Sequence, residues 1–216
     1  MQSFLFGEAE PTPLAEENTT SSLNKLALLC DKAKVCRKCT LAETRITVVF
    51  GEGNPSAALA VIGEAPGAEE DASGRPFVGR SGQLLDKILK AAGFSRQEVY
   101  ICNILKCRPP GNRNPLAHEI ESCIPFLLEQ LQIVKPKVIL ILGKVAANTL
   151  FENKLSLGSM RGKVTHWKEF DCFITYHPAA LLRNPEWKRG CWEDIQLMMS
   201  HYEKICGKTN ASKHEH

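Results

Sequence analysis

The sequence predicts an α/β fold, a sandwich built on a mostly parallel central sheet. Three observations carry that expectation. Four short runs, 58–63 (ALAVIG), 98–103 (EVYICN), 137–143 (KVILILG) and 172–177 (CFITYH), are mostly apolar and nearly continuous, as strands buried on both faces are. Helical patterns separate them, and Gly and Pro stand where helices start and stop. Strand–helix alternation of this kind is the signature of a parallel α/β sheet.

Taken in order, residues 1–21 are acidic and rich in Pro, Thr and Ser, and read as a flexible arm. A helix follows over 22–35, then the first strand. The helix over 81–92 ends at Gly93; the helix over 115–133 has Pro115 at its start. Further helices are expected over 144–152 and, after Pro185, over 186–205. The polar tail 207–216 is expected to fray, which leaves one domain over 22–206.

The chain has 216 residues, 44% of them hydrophobic, which suits a single domain with a full core. A net charge of +3 is too mild to identify a nucleic-acid partner by itself. The distribution says more: Lys106, Arg108 and Arg113 lie in an acid-free stretch over 103–114, and Arg183, Lys188 and Arg189 face only Glu186 over 177–190. No run approaches the roughly 18 apolar residues of a membrane span. The first residues lack the basic start and apolar run of a signal peptide, so a cytoplasmic protein is expected. Nine cysteines then point to reduced thiols, with metal or redox chemistry favoured over a disulfide framework.

In open α/β sheets, ligands bind beyond the C-terminal ends of the strands. The four strand ends bring Gly63-Glu64, Asn103, Gly143 and His177 to one edge. The loop "VIGEAPGAEED" has the look of a phosphate cradle. Its carboxylates, Glu64, Glu69, Glu70 and Asp71, would repel a phosphate. Singly, an Asn after a strand is usually a turn residue and a Phe is usually core. The joint placement is what carries information.

Cys36 and Cys39 form a C-x2-C clip, and Cys107 and Cys123 follow with 15 residues between them. By residue type alone, four cysteines around zinc are the default. An iron–sulfur cluster uses the same thiolates, and a third reading leaves Cys107 and Cys123 in the core. Cys30, Cys102, Cys172, Cys191 and Cys206 read as small buried apolar residues.

"GEAPGAEEDASGRPFVGRSGQLLDKIL", "YICNILKCRPPGNRNP" and "YHPAALLR" resemble the motifs of the family 4 uracil-DNA glycosylases, in that family's order and spacing, over about residues 23–203. The resemblance implies a three-layer α/β/α sandwich with a central four-stranded parallel sheet. It also implies a [4Fe-4S] cluster on Cys36, Cys39, Cys107 and Cys123, which displaces zinc. The implied activity is monofunctional excision of uracil flipped out of single- or double-stranded DNA, by a monomer. His177 would donate to uracil O2, Asn103 would read the uracil edge, and Phe77 would stack on the base. Glu64, with the backbone around Ala65, would place water or stabilise a cationic sugar. In relatives outside the family an Asp serves the water, but Ala65 follows Glu64 here. Glu70 would lie near uracil C5 and help to reject thymine, while Glu69 and Asp71 are expected to be solvated. Arg80 and Ser81, and similarly Lys144, would clamp phosphates at helix starts. Leu181, Leu182 and Arg183 would fill the gap left by the flipped nucleotide. Lys106, Arg108, Arg113, Lys188 and Arg189 are candidate backbone contacts. Two competing readings are a DNA-binding iron–sulfur redox protein without glycosylase activity and a nucleotide-handling enzyme; the latter lacks the Lys-Ser/Thr of a P-loop.

Overall fold

The computed structural model describes residues 13–207. In chain order, α1 (Pro13–Lys34) and α2 (Leu41–Thr44) precede β1 (Glu52–Gly53) and β2 (Leu59–Gly63). Next come α3 (Ala68–Ser73), α4 (Arg80–Ala91), β3 (Tyr100–Asn103), α5 (Ala117–Val134) and β4 (Val138–Leu142). Then follow α6 (Lys144–Leu150), α7 (Leu157–Met160), β5 (Thr165–Trp167), β6 (Phe170–Thr175), α8 (Pro178–Arg183) and α9 (Lys188–Cys206).

The sheet order is β1-β3-β2-β4-β6-β5. The inner four strands are parallel and are the four apolar runs. The expected four-stranded core is therefore present, and the sheet is wider by two antiparallel edge strands, β1 and β5. These are two and three residues long, too short to leave a period in the sequence.

Every residue of β2, β3 and β4 is buried because both faces are covered. Side chains alternate across the pleat. Ala60, Ile62, Cys102, Ile139, Ile141 and Ile174 share a core with Leu29 of α1, Leu127 and Leu131 of α5, and Ala147 of α6. Leu59, Val61, Ile101, Leu140 and Phe173 share the opposite core with Leu85 and Leu89 of α4, Leu181 of α8, and Ile195 and Met198 of α9. Two cores on either side of one sheet make the three-layer sandwich.

Helix ends follow their local chemistry. Gly93 takes φ 79° just after α4, and its N–H and that of Phe94 reach back to Lys90 O and Leu89 O at 3.1 and 2.9 Å. The N-terminal expectation needs correction, because α1 begins at Pro13 rather than near residue 22. Pro at the first helical position and Leu14, Ala15, Glu16 and Glu17 behind it favour a helix. The rest of the expected arm, and the tail beyond Gly207, lie outside the described residues. Segments expected as loops hold α3 and α8, six residues each, too short for a helical period to emerge. Among the described residues no helix is long and apolar enough to cross a membrane.

Leu140 is fully buried in the central strand β4. Leu140→Ala should lower unfolding stability by about 2–5 kcal/mol, read as a shift of the denaturation midpoint with an unchanged slope.

Candidate active site

The inner strand order reverses between β2 and β4, the switch point at which α/β sheets open a crevice. A cavity of about 400 Å³ lies there, walled by Glu64, Ala65, Glu70, Phe77, Asn103 and His177, with Ser81, Arg113 and Arg183 also lining it. Parallel pairing sets Gly63 opposite Asn103. It continues past the strands, with Ile104 N–H on Gly63 O and Leu105 N–H on Glu64 O, both at 3.0 Å. A Cβ on Gly63 would lie 2.3 Å from Asn103 Oδ1 and 2.5 Å from the Phe77 ring, so only glycine lets the walls close this far.

Asn103 is 2% exposed, and among the described residues no protein group bonds its Oδ1. A buried amide with an unused acceptor is costly unless a ligand meets it. His177 caps α8: its Nδ1 accepts from Ala179 N–H at 3.2 Å. Nδ1 thus acts as an acceptor, so the proton of the neutral ring sits on Nε2, a tautomer assigned from this bond. Burial, with Arg183 adding and Glu70 opposing, pushes the His177 pKa down to about 4. The ring is a neutral donor at physiological pH. Gly143, at φ 91°, gives it room, since a Cβ there would lie 2.9 Å from His177 Cβ.

Phe77 is buried, with its ring 5.7 Å from that of His177, and has φ 53°. Such a conformation for a bulky residue stores about 1–3 kcal/mol and persists only where its surroundings over-determine it. Glu70 is part of those surroundings: Oε1 accepts from Val78 and Gly79 N–H, each at 2.9 Å, and Oε2 from Gly67 N–H at 3.1 Å. It lines the cavity, but its oxygens are engaged in holding the loop. Burial pushes the Glu64 carboxyl above its usual range.

Several expected residues sit elsewhere. Lys106 is fully buried and donates to Asn103 O at 2.6 Å, so it is withdrawn from any nucleic-acid backbone. Its stem runs inward because its neighbours in sequence belong to the core. Asp71 was expected in solvent; it is 2% exposed, and Oδ1 accepts from Ile46 and Thr47 N–H at 3.0 and 3.3 Å. Leu181 is 1% exposed and packs in the core, leaving Leu182 and Arg183 exposed for a wedge. Glu69 is exposed, as expected. Arg80 and Lys144 are exposed at the starts of α4 and α6, and neither lines the cavity. Arg108 bonds Asn112 Oδ1 at 2.8 Å, and Arg189 bonds Glu193 at 3.2 Å. Lys188 is exposed where α9 begins.

Pro109, Asn112 and Asn114 were not expected to line the cavity. Arg113 forks onto Glu119 at 2.9 and 2.6 Å, and Glu119 also accepts from Leu116 N–H at 2.8 Å, fixing the start of α5. Leu116 has no capping side chain, so the sequence carried no signal of this arrangement.

On the other side of Asn103, Cys36, Cys39, Cys107 and Cys123 line one small cavity with Lys106, Arg45 and Phe126. Among the described residues no three His, Cys, Asp or Glu are close enough to form a ready-made metal-ion site. Four thiols round one cavity are the donor set that a zinc site and an iron–sulfur cluster both use. Arg45 donates to Cys107 Sγ and the Lys106 N–H to Cys123 Sγ, both at 3.2 Å. Burial pushes the Lys106 amine below its usual range, with Cys102, Cys123 and Cys107 opposing. A buried amine keeps its proton only beside a negative counterpart. The remaining cysteines divide: Cys102, Cys172 and Cys191 are buried, and Cys30 and Cys206 are half-buried.

The family model for the uracil DNA glycosylase superfamily matches residues 50–196. The chain belongs to that superfamily. Within it, the chain is 42% identical to the Type-4 uracil-DNA glycosylase of Thermotoga maritima over 83% of this chain and 95% of that protein. It is 41% identical to the Type-4 uracil-DNA glycosylase of Saccharolobus solfataricus, over 81% of this chain and 85% of that one. A Type-5 uracil-DNA glycosylase of Pyrobaculum aerophilum is 31% identical over 60% of this chain and 64% of its own length.

With the folded His177 pKa near 4 and the unfolded value near 6.5, the native state favours the neutral ring. The resulting stability is present above about pH 6.5 and is lost as pH falls through about 4. NMR titration should find the His177 imidazole neutral down to about pH 5, with native stability declining below about 6.5.

Proposed function

We propose that this protein is a monofunctional uracil-DNA glycosylase of the Type-4 kind, which flips uracil out of DNA and hydrolyses its N-glycosidic bond. The single observation that carries the reading is Asn103, a buried amide with an unused acceptor in a cavity shared with Phe77 and His177. Its amide can accept from uracil N3–H and donate to O4, whereas cytosine offers the opposite pattern at both places. Phe77 would stack on the extruded base, worth about 1–3 kcal/mol. His177 Nε2–H would donate to O2, a bond that strengthens as uracil leaves as an anion; one such donor is typically worth about 2.7–4 kcal/mol. Glu64 is favourable beside a sugar turning cationic and would place the attacking water with the backbone of Ala65. Glu70 would shape the wall near C5 through the loop it holds. Ser81 on the rim, with Arg80 and Lys144 at helix starts, would take DNA phosphates, and Leu182 and Arg183 would fill the stack. A monomer suffices to read one flipped base, and a cytoplasmic location fits the thiol usage.

Cys36, Cys39, Cys107 and Cys123 would hold a [4Fe-4S] cluster. When bound it supplies a compact cross-link with anionic character, and base excision transfers no electrons. Cys107 lies four residues beyond Asn103, so the ligand and the reading residue share one short segment.

Incubation with uracil-containing single-stranded and duplex DNA should yield free uracil and alkali-sensitive sites without nicking; no release from either substrate overturns the proposal. His177→Ala should slow single-turnover excision about 10²–10³-fold. Glu64→Gln should slow excision while DNA affinity holds, and a loss of affinity alone would remove its part in the chemistry. Stripping iron should bleach the broad visible absorbance and weaken folding and DNA affinity together. An apo-protein that stays folded with unchanged affinity would sink the cluster's role as a staple.

A further inference from the structure

The strained Phe77 is gripped from both sides along the backbone. Glu70 takes the N–H groups that follow it, at Val78 and Gly79. Arg96 takes the carbonyls: Nη2 donates to Pro76 O at 2.7 Å and Nη1 to Phe77 O at 3.1 Å. The guanidinium is itself anchored. Nε and Nη2 donate to Glu52 Oε1 at 3.0 and 2.6 Å, and Nη1 donates to Asp86 Oδ1 at 2.7 Å. Every N–H of the group thus has an acceptor, and the side chain is 17% exposed. Beneath the same peptide, a Cβ on Gly82 would lie 1.9 Å from Phe77 O.

We infer that Arg96, which does not line the cavity, is a positioning residue that sets the Phe77 ring against the base by clamping the 76–77 carbonyls to β1 and α4. The inference rests on the uracil-excision reading for its consequence in rate. The planar fork is what the task needs: it bridges two carbonyls and two carboxylates at once. A lysine keeps the charge but presents a point donor that cannot span them. Loss of the fork frees the loop, so the Phe77 ring should wander at the edge of its core while the sheet and its helices stand.

The test is a double-mutant cycle of R96K and F77A, reading single-turnover excision from single-stranded uracil DNA, DNA affinity, thermal melting and amide exchange. R96K should slow excision about tenfold with affinity within about twofold, and should slow the F77A protein by less than about twofold. Its effect on melting should be the same in both backgrounds. Exchange at Val78 and Gly79 should quicken while β2, β3 and β4 stay protected. An unchanged excision rate for R96K, equal slowing in both backgrounds, or unchanged exchange over 77–79 would each overturn the inference. Should R96K give no cooperative melt, D86N carries the same cycle, since it loosens one anchor of Arg96 at a half-exposed side chain. A wild-type protein that releases no uracil would remove the functional reading instead, and the exchange measurement would then decide the clamp alone.

Discussion

The close approach of β2 and β3 at their C-terminal ends is the constraint on which the candidate site depends. Gly63 and Asn103 are register partners, and the space between them admits no Cβ. The Asn103 amide occupies that space from one side and the Phe77 ring from another. Parallel pairing runs on beyond the strands through Ile104 and Leu105, so the Glu64 backbone and the segment leading to Cys107 are held by the same ladder. A second close approach, Gly143 to His177, performs the same service between β4 and β6. Two glycines at two strand ends therefore decide whether an Asn, a Phe and a His face one cavity or lie in separate grooves.

Around that constraint, charge is used mostly on the backbone. Glu70, Asp71 and Glu119 accept main-chain N–H groups, and Arg96 and Lys106 donate to main-chain carbonyls. Charge-assisted bonds of this sort are roughly twice as strong as neutral ones and favour fixed geometry. The loops beyond the strands are consequently as ordered as the chemistry of a cavity wall requires. This also accounts for the acidic run after Gly63. Glu70 and Asp71 face the N–H groups of the turns around them, and Glu64 is the carboxylate left at the cavity wall.

Lys106 joins the two sites. Its side chain reaches the carbonyl of Asn103, its N–H reaches Cys123 Sγ, and its carbonyl accepts from Val49 N–H at 2.8 Å. The thiol cavity and the amide in the candidate active site are thus separated by one buried residue. Negative charge on Cys107 or Cys123 would favour the charged form of that amine, and with it the bond to the turn that presents Asn103.

Much of this was legible in the chain itself. Continuous apolar runs identify the parallel strands because a strand covered on both faces has no polar positions to alternate. Their ends then lead to Glu64, Asn103, Gly143 and His177, each at or within two residues of a strand's last residue, and the cysteine spacing names the second site. Short or long-range features were not legible. The edge strands β1 and β5 and the helix α8 are too short for a period to emerge. The burial of Lys106, Asp71 and Leu181, and the grip of Arg96 on a loop some 20 residues back in the sequence, depend on partners brought near only by the sheet order. Sequence alone placed the strand ends to within two residues, with Gly143 and His177 proving to be the caps of α6 and α8, since that is a local matter of apolar period and turn chemistry. Tertiary structure decided which charges face a ligand and which are buried against backbone, because that choice belongs to contacts between segments far apart in the chain.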